Sequence, residues 1–297
     1  LVVDGQVVCV VALEVRRQVL DGMERHLYQA TRLEEEGMIA HADQLHAEVA
    51  RADAAREFAA ARQDLALAQS ALGSLLEIEH DVSPESELFV LHDLPPLAEL
   101  KGVAAGANPN LHRLEARQEV ARSAVAAERA TALPDVAVFA VHELYPDDLT
   151  VLEPRWAAGI AVQRNLFDGF ARGHRLAAAQ ATVATVEHLQ DAARSDVALL
   201  VEANYRRALK AVEQFEALNS TVGLAEENLR VRTRAFEEGF ATSLDVVDAR
   251  NTLAGVRLSR LAAAHDFVVA FADLLAAIGD AESLGSYAHG PQVEVIS

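Results

Sequence analysis

The sequence predicts a mainly α fold of long coiled-coil helical hairpins joined to one β-strand pair. Three observations carry that reading. First, Val201, Ala208, Phe215, Val222, Leu229 and Phe236 recur at strict spacings of seven inside a proline-free stretch from Arg172 to about Phe236. A sustained heptad keeps one apolar seam turned toward a partner helix, which marks coiled-coil packing. Second, EEGFATSLDVVDAR at 237–250 echoes EEGMIAHADQLHAE at 35–48, an offset of 202 residues (237 − 35). Third, RWAAGIAVQRNLFDG at 155–169 abandons the helical period for alternation, with Trp156, Ala158, Ile160 and Val162 on one side and Ala157, Gly159, Ala161 and Gln163 on the other.

Composition fits long helices that pack closely. Aromatic residues make up 5% and charged residues 24% of the 297 positions, and Ala recurs throughout. The formal charge is −19, from 45 acidic and 26 basic residues, which disfavours a phosphate-neutralising surface, so no nucleic-acid partner is expected. Cys9 is the single cysteine and excludes an intrachain disulfide; its apolar neighbours mark it as a small buried residue. No run of about 18 apolar residues reads as a membrane-spanning helix. No basic leader precedes a signal-like core, and the chain begins at Leu1, so it is expected to be either unexported or a processed or partial chain.

Along the chain, helices are predicted over about Val7–Glu35 and Asp43–Leu76, meeting at Gly37, which makes residues 1–78 a first hairpin. Residues 79–110 hold four of the eight prolines and read as an irregular segment with one short helix near Leu97–Ala104. Residues 111–133 form a further helix that Pro134 ends, and 134–169 a β-hairpin closed by Phe167-Asp168-Gly169, with Asp168 as a cap for the helix beyond. Strands of this kind suit a transmembrane barrel and equally suit an amphipathic soluble hairpin. Residues 170–280 form the second hairpin, whose first helix would extend roughly 90 Å at 1.5 Å per residue. Its second helix runs from Ser243 to Ile278 behind a Thr242/Asp245 capping box, and 281–297 is a C-terminal tail. At the repeat offset Glu24/Glu226, Leu27/Leu229, Thr31/Thr233, Arg32/Arg234, Gly37/Gly239, Asp43/Asp245 and Ala47/Ala249 coincide, which indicates duplicated architecture.

The order of these features resembles the TolC-like outer-membrane efflux protein family. The residues that carry the resemblance are Leu133-Pro134-Asp135-Val136, Trp156 with Gly159, Leu166-Phe167-Asp168-Gly169, then Gly239, Thr242, Asp245, Asp248 and Ala249, and finally Leu275 and Gly279. The resemblance implies a homotrimer whose helical hairpins form an α-barrel and whose strand pairs contribute to one trimeric transmembrane β-barrel. It implies an outer-membrane channel with a periplasmic extension in a Gram-negative bacterium, serving tripartite efflux or type I secretion. The partners implied are outer-membrane lipid, a periplasmic adaptor (membrane fusion) protein and an inner-membrane pump. The family has two strand pairs, and only the second is visible here, so the chain is expected to be partial or shortened. A soluble coiled-coil scaffold is the alternative.

Within that resemblance Asp245 and Asp248 match the acids of the channel entrance, and their i, i+3 spacing places both on one helix face. Repeated around an axis they would form rings that favour cations; alone, they would simply complement the helix dipole. Asp43 matches the first repeat's tip acid, whose family role is to bond neighbouring helices and hold the entrance shut. Phe236 stands where Tyr is frequent and Ala241 where some relatives carry a basic residue, so closure by the apolar Phe236 or Met38 is the alternative. Gly37 and Gly239 suit helix C-termini, and the resemblance adds adaptor contact at these tips, together with Thr242. Tyr145 and Trp156 flank the strand loop as candidate membrane-interface aromatics. His41 and His46 miss the i, i+4 spacing of a helical metal pair, and with His26 they are read as surface or packing residues, so no metal or cofactor is expected. No phosphate loop, dinucleotide fingerprint, nucleophile elbow or zincin motif occurs, and no enzymatic activity is expected.

Overall fold

The computed structural model describes residues 2–77, 88–142, 144, 155–288 and 293–296. The elements are α1 (Val2–Glu35), α2 (His41–Leu76), β1 (Leu88–Leu91), α3 (Leu97–Ala107), α4 (Pro109–Ala130), β2 (Asp135–His142) and β3 (Trp156–Gln163). They continue with α5 (Ala171–Glu237), α6 (Ser243–Ile278), a 3-10 turn (Ala281–Ser283), α7 (Leu284–Tyr287) and β4 (Val293–Ile296). Two compact units result, one from Leu1–Ala104 with Leu199–Ser297 and one from Ala105–Ala198.

The first unit is helical and holds most of the core. Val201, Ala208, Phe215 and Phe236 of the heptad are buried, while Val222 and Leu229 are half-buried. α6 is long and apolar enough to cross a membrane by composition alone, although isolated charges punctuate it and leave no uninterrupted apolar run. Most of that stretch is buried within the unit, so it is a core helix here. Phe267 and Phe271 stack on it at 5.5 Å, and Phe89 of β1 meets Phe267 edge-on at 6.1 Å. Cys9 is half-buried, and its thiol is pushed up by burial and then by the carboxylate of Asp64.

Two elements depart from the sequence reading. β1 lies inside the segment 79–110 expected to be irregular, and β4 inside the expected tail 281–297. They pair antiparallel, Leu88 opposite Ile296 through Leu91 opposite Val293. LFVL is buried at all four positions and therefore shows no alternation. Glu294 fastens β4, accepting hydrogen bonds from Arg260 at 2.8 Å and Asn219 at 3.4 Å.

The second unit sets α4 antiparallel to the start of α5. Gln118 donates to Glu187 at 3.1 Å, and Arg175 to Glu128 at 3.2 Å. Asn108 caps α4 ahead of Pro109 by accepting from the amide of Asn110 at 2.9 Å. β2 and β3 pair antiparallel, with Val136 opposite Val162, Val138 opposite Ile160 and His142 opposite Trp156. Asp168 accepts from the amide of Arg172 at 3.0 Å, the expected cap at the start of α5.

Candidate functional site

The hairpin tips share one backbone plan. Gly37 and Gly239 both have positive φ, 72° and 81°. Around each, paired bonds close the helix: Gly37 N to Glu34 O at 2.8 Å with Met38 N to Leu33 O at 2.8 Å, and Gly239 N to Phe236 O at 3.0 Å with Phe240 N to Ala235 O at 2.7 Å. This is the Schellman arrangement, which satisfies carbonyls that a helix end otherwise leaves open. Thr31 and Thr233 each donate back to the carbonyl of Leu27 or Leu229, at 2.9 and 2.8 Å.

The tips differ one turn further on. Thr242 caps α6: its hydroxyl oxygen accepts from the amide of Asp245 at 3.3 Å, and Asp245 accepts from the amide of Thr242 at 2.9 Å. These bonds, the Thr242 hydroxyl and then Arg232 at 3.3 Å hold the Asp245 carboxyl below its usual range. At the same place in the first repeat stands Ala40, which provides no side-chain cap for α2. Asp43 therefore has no capping box to complete. It reaches instead to the amide of Ser243, which donates to its carboxylate at 3.1 Å.

Ser243 is thus a junction between the repeats. Its hydroxyl also shares a 2.8 Å hydrogen bond with Nε2 of His26, which is 2% exposed. Nδ1 of His26 has no partner among the described residues. An orphaned N–H costs more than an orphaned lone pair, so the ring proton belongs on Nε2, donating to Ser243. Burial, and then the charge of Arg250, push His26 down to about 4, against the opposing influence of Ser243 and Asp43. The ring packs on Phe236 with centroids 4.8 Å apart. Phe236 is fully buried with Ala30, Ala47 and Val246, so it fills the hairpin core. Met38 is exposed.

Arg250 reaches this knot across Gly22, where an added Cβ would stand 1.7 Å from its Nη1. A glycine inside α1 costs about 1 kcal/mol relative to alanine; here it opens the path for a buried guanidinium. Burial, then Arg25, lowers the pKa of Arg250. Neither His26, Gly22 nor Arg250 is marked as a tip residue by the repeat; a mid-helix glycine four residues before a histidine is the signal that betrays the close approach.

Of the other anticipated residues, Asp248 is exposed on α6. Although Asp245 and Asp248 lie one turn apart, Asp245 is committed to the cap and Asp248 stands outward alone of the two. His41 pairs with Glu34 at 3.3 Å, and among the described residues no cluster of three metal-ligating side chains occurs. Trp156 is 69% exposed beside Ile160 and Val162, and Val136 and Val138 across the ladder are equally open. Tyr145 lies outside the described residues.

The fold is shared with solved membrane proteins. A membrane protein from Pseudomonas aeruginosa is 18% identical, with a TM-score of 0.77 over 94% of this chain and 66% of its own. VceC, an outer membrane protein of Vibrio cholerae, is 17% identical with a TM-score of 0.73, over 94% of this chain and 68% of its own. The open-state MtrE outer membrane channel of Neisseria gonorrhoeae is 18% identical with a TM-score of 0.76, over 94% and 64%. The chain thus spans about two thirds of the length of these structures. No curated protein sequence matches it. The model of the outer membrane efflux protein family matches residues 102–280, more than half of the chain, and the chain belongs to that family.

Proposed function

We propose that this chain forms part of the passive exit duct of a tripartite efflux or type I secretion system. Three copies assemble around one axis in the outer membrane of a Gram-negative bacterium, and the helical hairpins extend into the periplasm. There they meet an adaptor and, through it, an inner-membrane pump. The observation that carries this reading is the open apolar face of β2–β3. Val136, Val138, Trp156, Ile160 and Val162 share that face and all are exposed. A soluble scaffold would bury such a face; a barrel strand turns it to lipid.

The duct's residues take unequal roles. Asp248, exposed on the second tip, supplies the acidic ring at the entrance and favours cations there. Asp245 and Thr242 keep the start of α6 in shape. Asp43 and His26, through Ser243, hold the second tip against the first and keep the entrance narrow. Gly37 and Gly239 shape the turns that the adaptor meets. No step of this function calls for a reaction, a metal or a cofactor.

The test is conductance of the full-length protein in planar bilayers. Discrete conductance with cation preference is expected, and Asp248→Asn is expected to weaken the preference more than Asp245→Asn does. Protein that stays in the aqueous phase with no conductance would return the reading to a soluble scaffold.

A further inference from the structure

We propose that an oxoanion, a carboxylate or a phosphate group, binds against Arg250 in the groove between α5 and α6 and serves there as the counter-ion of its guanidinium. The site lies within the helical unit and stands whether or not the chain conducts.

Arg250 is the first observation. It is half-buried on α6, and its Nε is enclosed with no acceptor among the described residues. No carboxylate pairs with it among those residues, and the charge that bears on it is that of Arg25 on α1, of the same sign. An arginine cannot shed its proton to escape such a setting. A charge drawn out of water without a partner is far costlier than a paired one. The chain has 45 acidic residues to 26 basic ones, so acids are not scarce, yet none is set against this guanidinium.

Gly22 is the second. A Cβ there would stand 1.7 Å from Nη1 of Arg250 and 2.5 Å from its Cζ, so α1 gives way to the guanidinium and to nothing else. The notch fixes the planar group in one place. A guanidinium held in this way is a preorganised fork for a carboxylate or phosphate, which it meets through paired N–H donors.

The groove is the third. It measures about 620 Å³ and is lined by Arg250 and Leu253 of α6 and by Leu229, Arg230 and Arg234 of α5. Three glutamates also line it, and each is engaged. Glu226 accepts from Arg257 at 2.7 Å, Glu238 from Arg234 at 3.1 Å and Glu237 from Gln29 at 2.9 Å. Arg230 is held by Glu227 through two bonds of 2.7 Å. Arg250 is therefore the lining cation whose charge stands uncompensated, and the groove gives an anion room to reach it.

The test is thermal unfolding of the full-length protein in detergent, with sodium phosphate exchanged for sodium chloride at constant ionic strength. Wild type, Arg250→Gln and Arg250→Lys are compared, and oligomer size is measured alongside. Phosphate stabilises folded proteins in general by exclusion from their surfaces, so the readout is the difference between the proteins. The expected result is a saturable rise of the wild-type midpoint, about 2–4 °C beyond that of Arg250→Gln. Arg250→Lys, which keeps the charge and loses the fork, should fall between them. If wild type shows no such rise while Arg250→Gln breaks up the oligomer, the group that binds is a carboxylate of a second copy. Equal responses of wild type and Arg250→Gln with the oligomer unchanged overturn the site. Should Arg250→Gln not fold, equal responses of wild type and Arg250→Lys overturn it in the same way.

Discussion

The two hairpin tips have nearly the same backbone and opposite dependencies. The second tip caps itself, with Thr242 and Asp245 bonding reciprocally. The first has Ala40 where Thr242 would stand, and its acid, Asp43, bonds the amide of Ser243 in the second tip. The duplicated turn has kept its shape while one capping bond moved from within a repeat to between repeats. A single lost hydroxyl makes that possible, because an uncapped first turn leaves Asp43 free to find another helix N-terminus.

This comparison can be broken in several places. The largest effect is expected at Phe236→Ala, which empties the packed centre under the knot and should cost about 3–5 kcal/mol in denaturant unfolding. A loss below about 1 kcal/mol would mean the tips are not packed on that ring. Next is Gly239→Val, which forces a β-branched residue to positive φ at a cost of about 2 kcal/mol. It should lower stability and abolish efflux complementation, and full complementation would show that the turn tolerates reshaping.

Acid should act on the knot through His26. Its folded pKa, about 4, lies below the ordinary 6.5, so the unfolded chain binds more protons between these values. Stability contributed by the neutral ring is therefore complete above about pH 6.5 and lost as pH falls toward 4, by at most about 3 kcal/mol. Unfolding curves across that window should steepen in pH dependence for wild type and flatten for His26→Asn; equal slopes would mean that His26 does not couple the knot to pH. The smallest effect is expected for Ala40→Thr, which restores the missing cap and should stabilise α2 by about 1 kcal/mol. It should also draw Asp43 back toward its own repeat, loosening the tie to Ser243.

Much of this architecture is legible in the sequence itself. The heptad locates the buried seam of α5, the Thr242/Asp245 pattern locates the first residue of α6, and period-two alternation locates β3, because each is a local signal with its own geometry. The fold fails to show through at β1 and β4, where four-residue strands are too short to display a period and pair across most of the chain. The site is half visible. Asp43 is recognisable as a tip acid, but its partner is a backbone amide 200 residues away, which no side-chain identity announces. Phe236 is fully buried among the helices, a depth the sequence does not announce, because a heptad position says which seam a ring joins and not how deep that seam runs. His26 joins the tips only where α5 and α6 meet its ring through Phe236 and Ser243, and Arg250 only by passing Gly22.

The most direct measurement is the distance between the tips. Met38 and Phe240 are exposed, occupy equivalent places in the two repeats and will carry spin labels as Met38→Cys and Phe240→Cys in a Cys9→Ser background. The predicted result of pulsed dipolar spectroscopy is a narrow distance distribution that broadens with Asp43→Ala and stays narrow with Asp245→Ala. Equal broadening by both substitutions, or none with Asp43→Ala, would contradict the claim that the first tip holds the second.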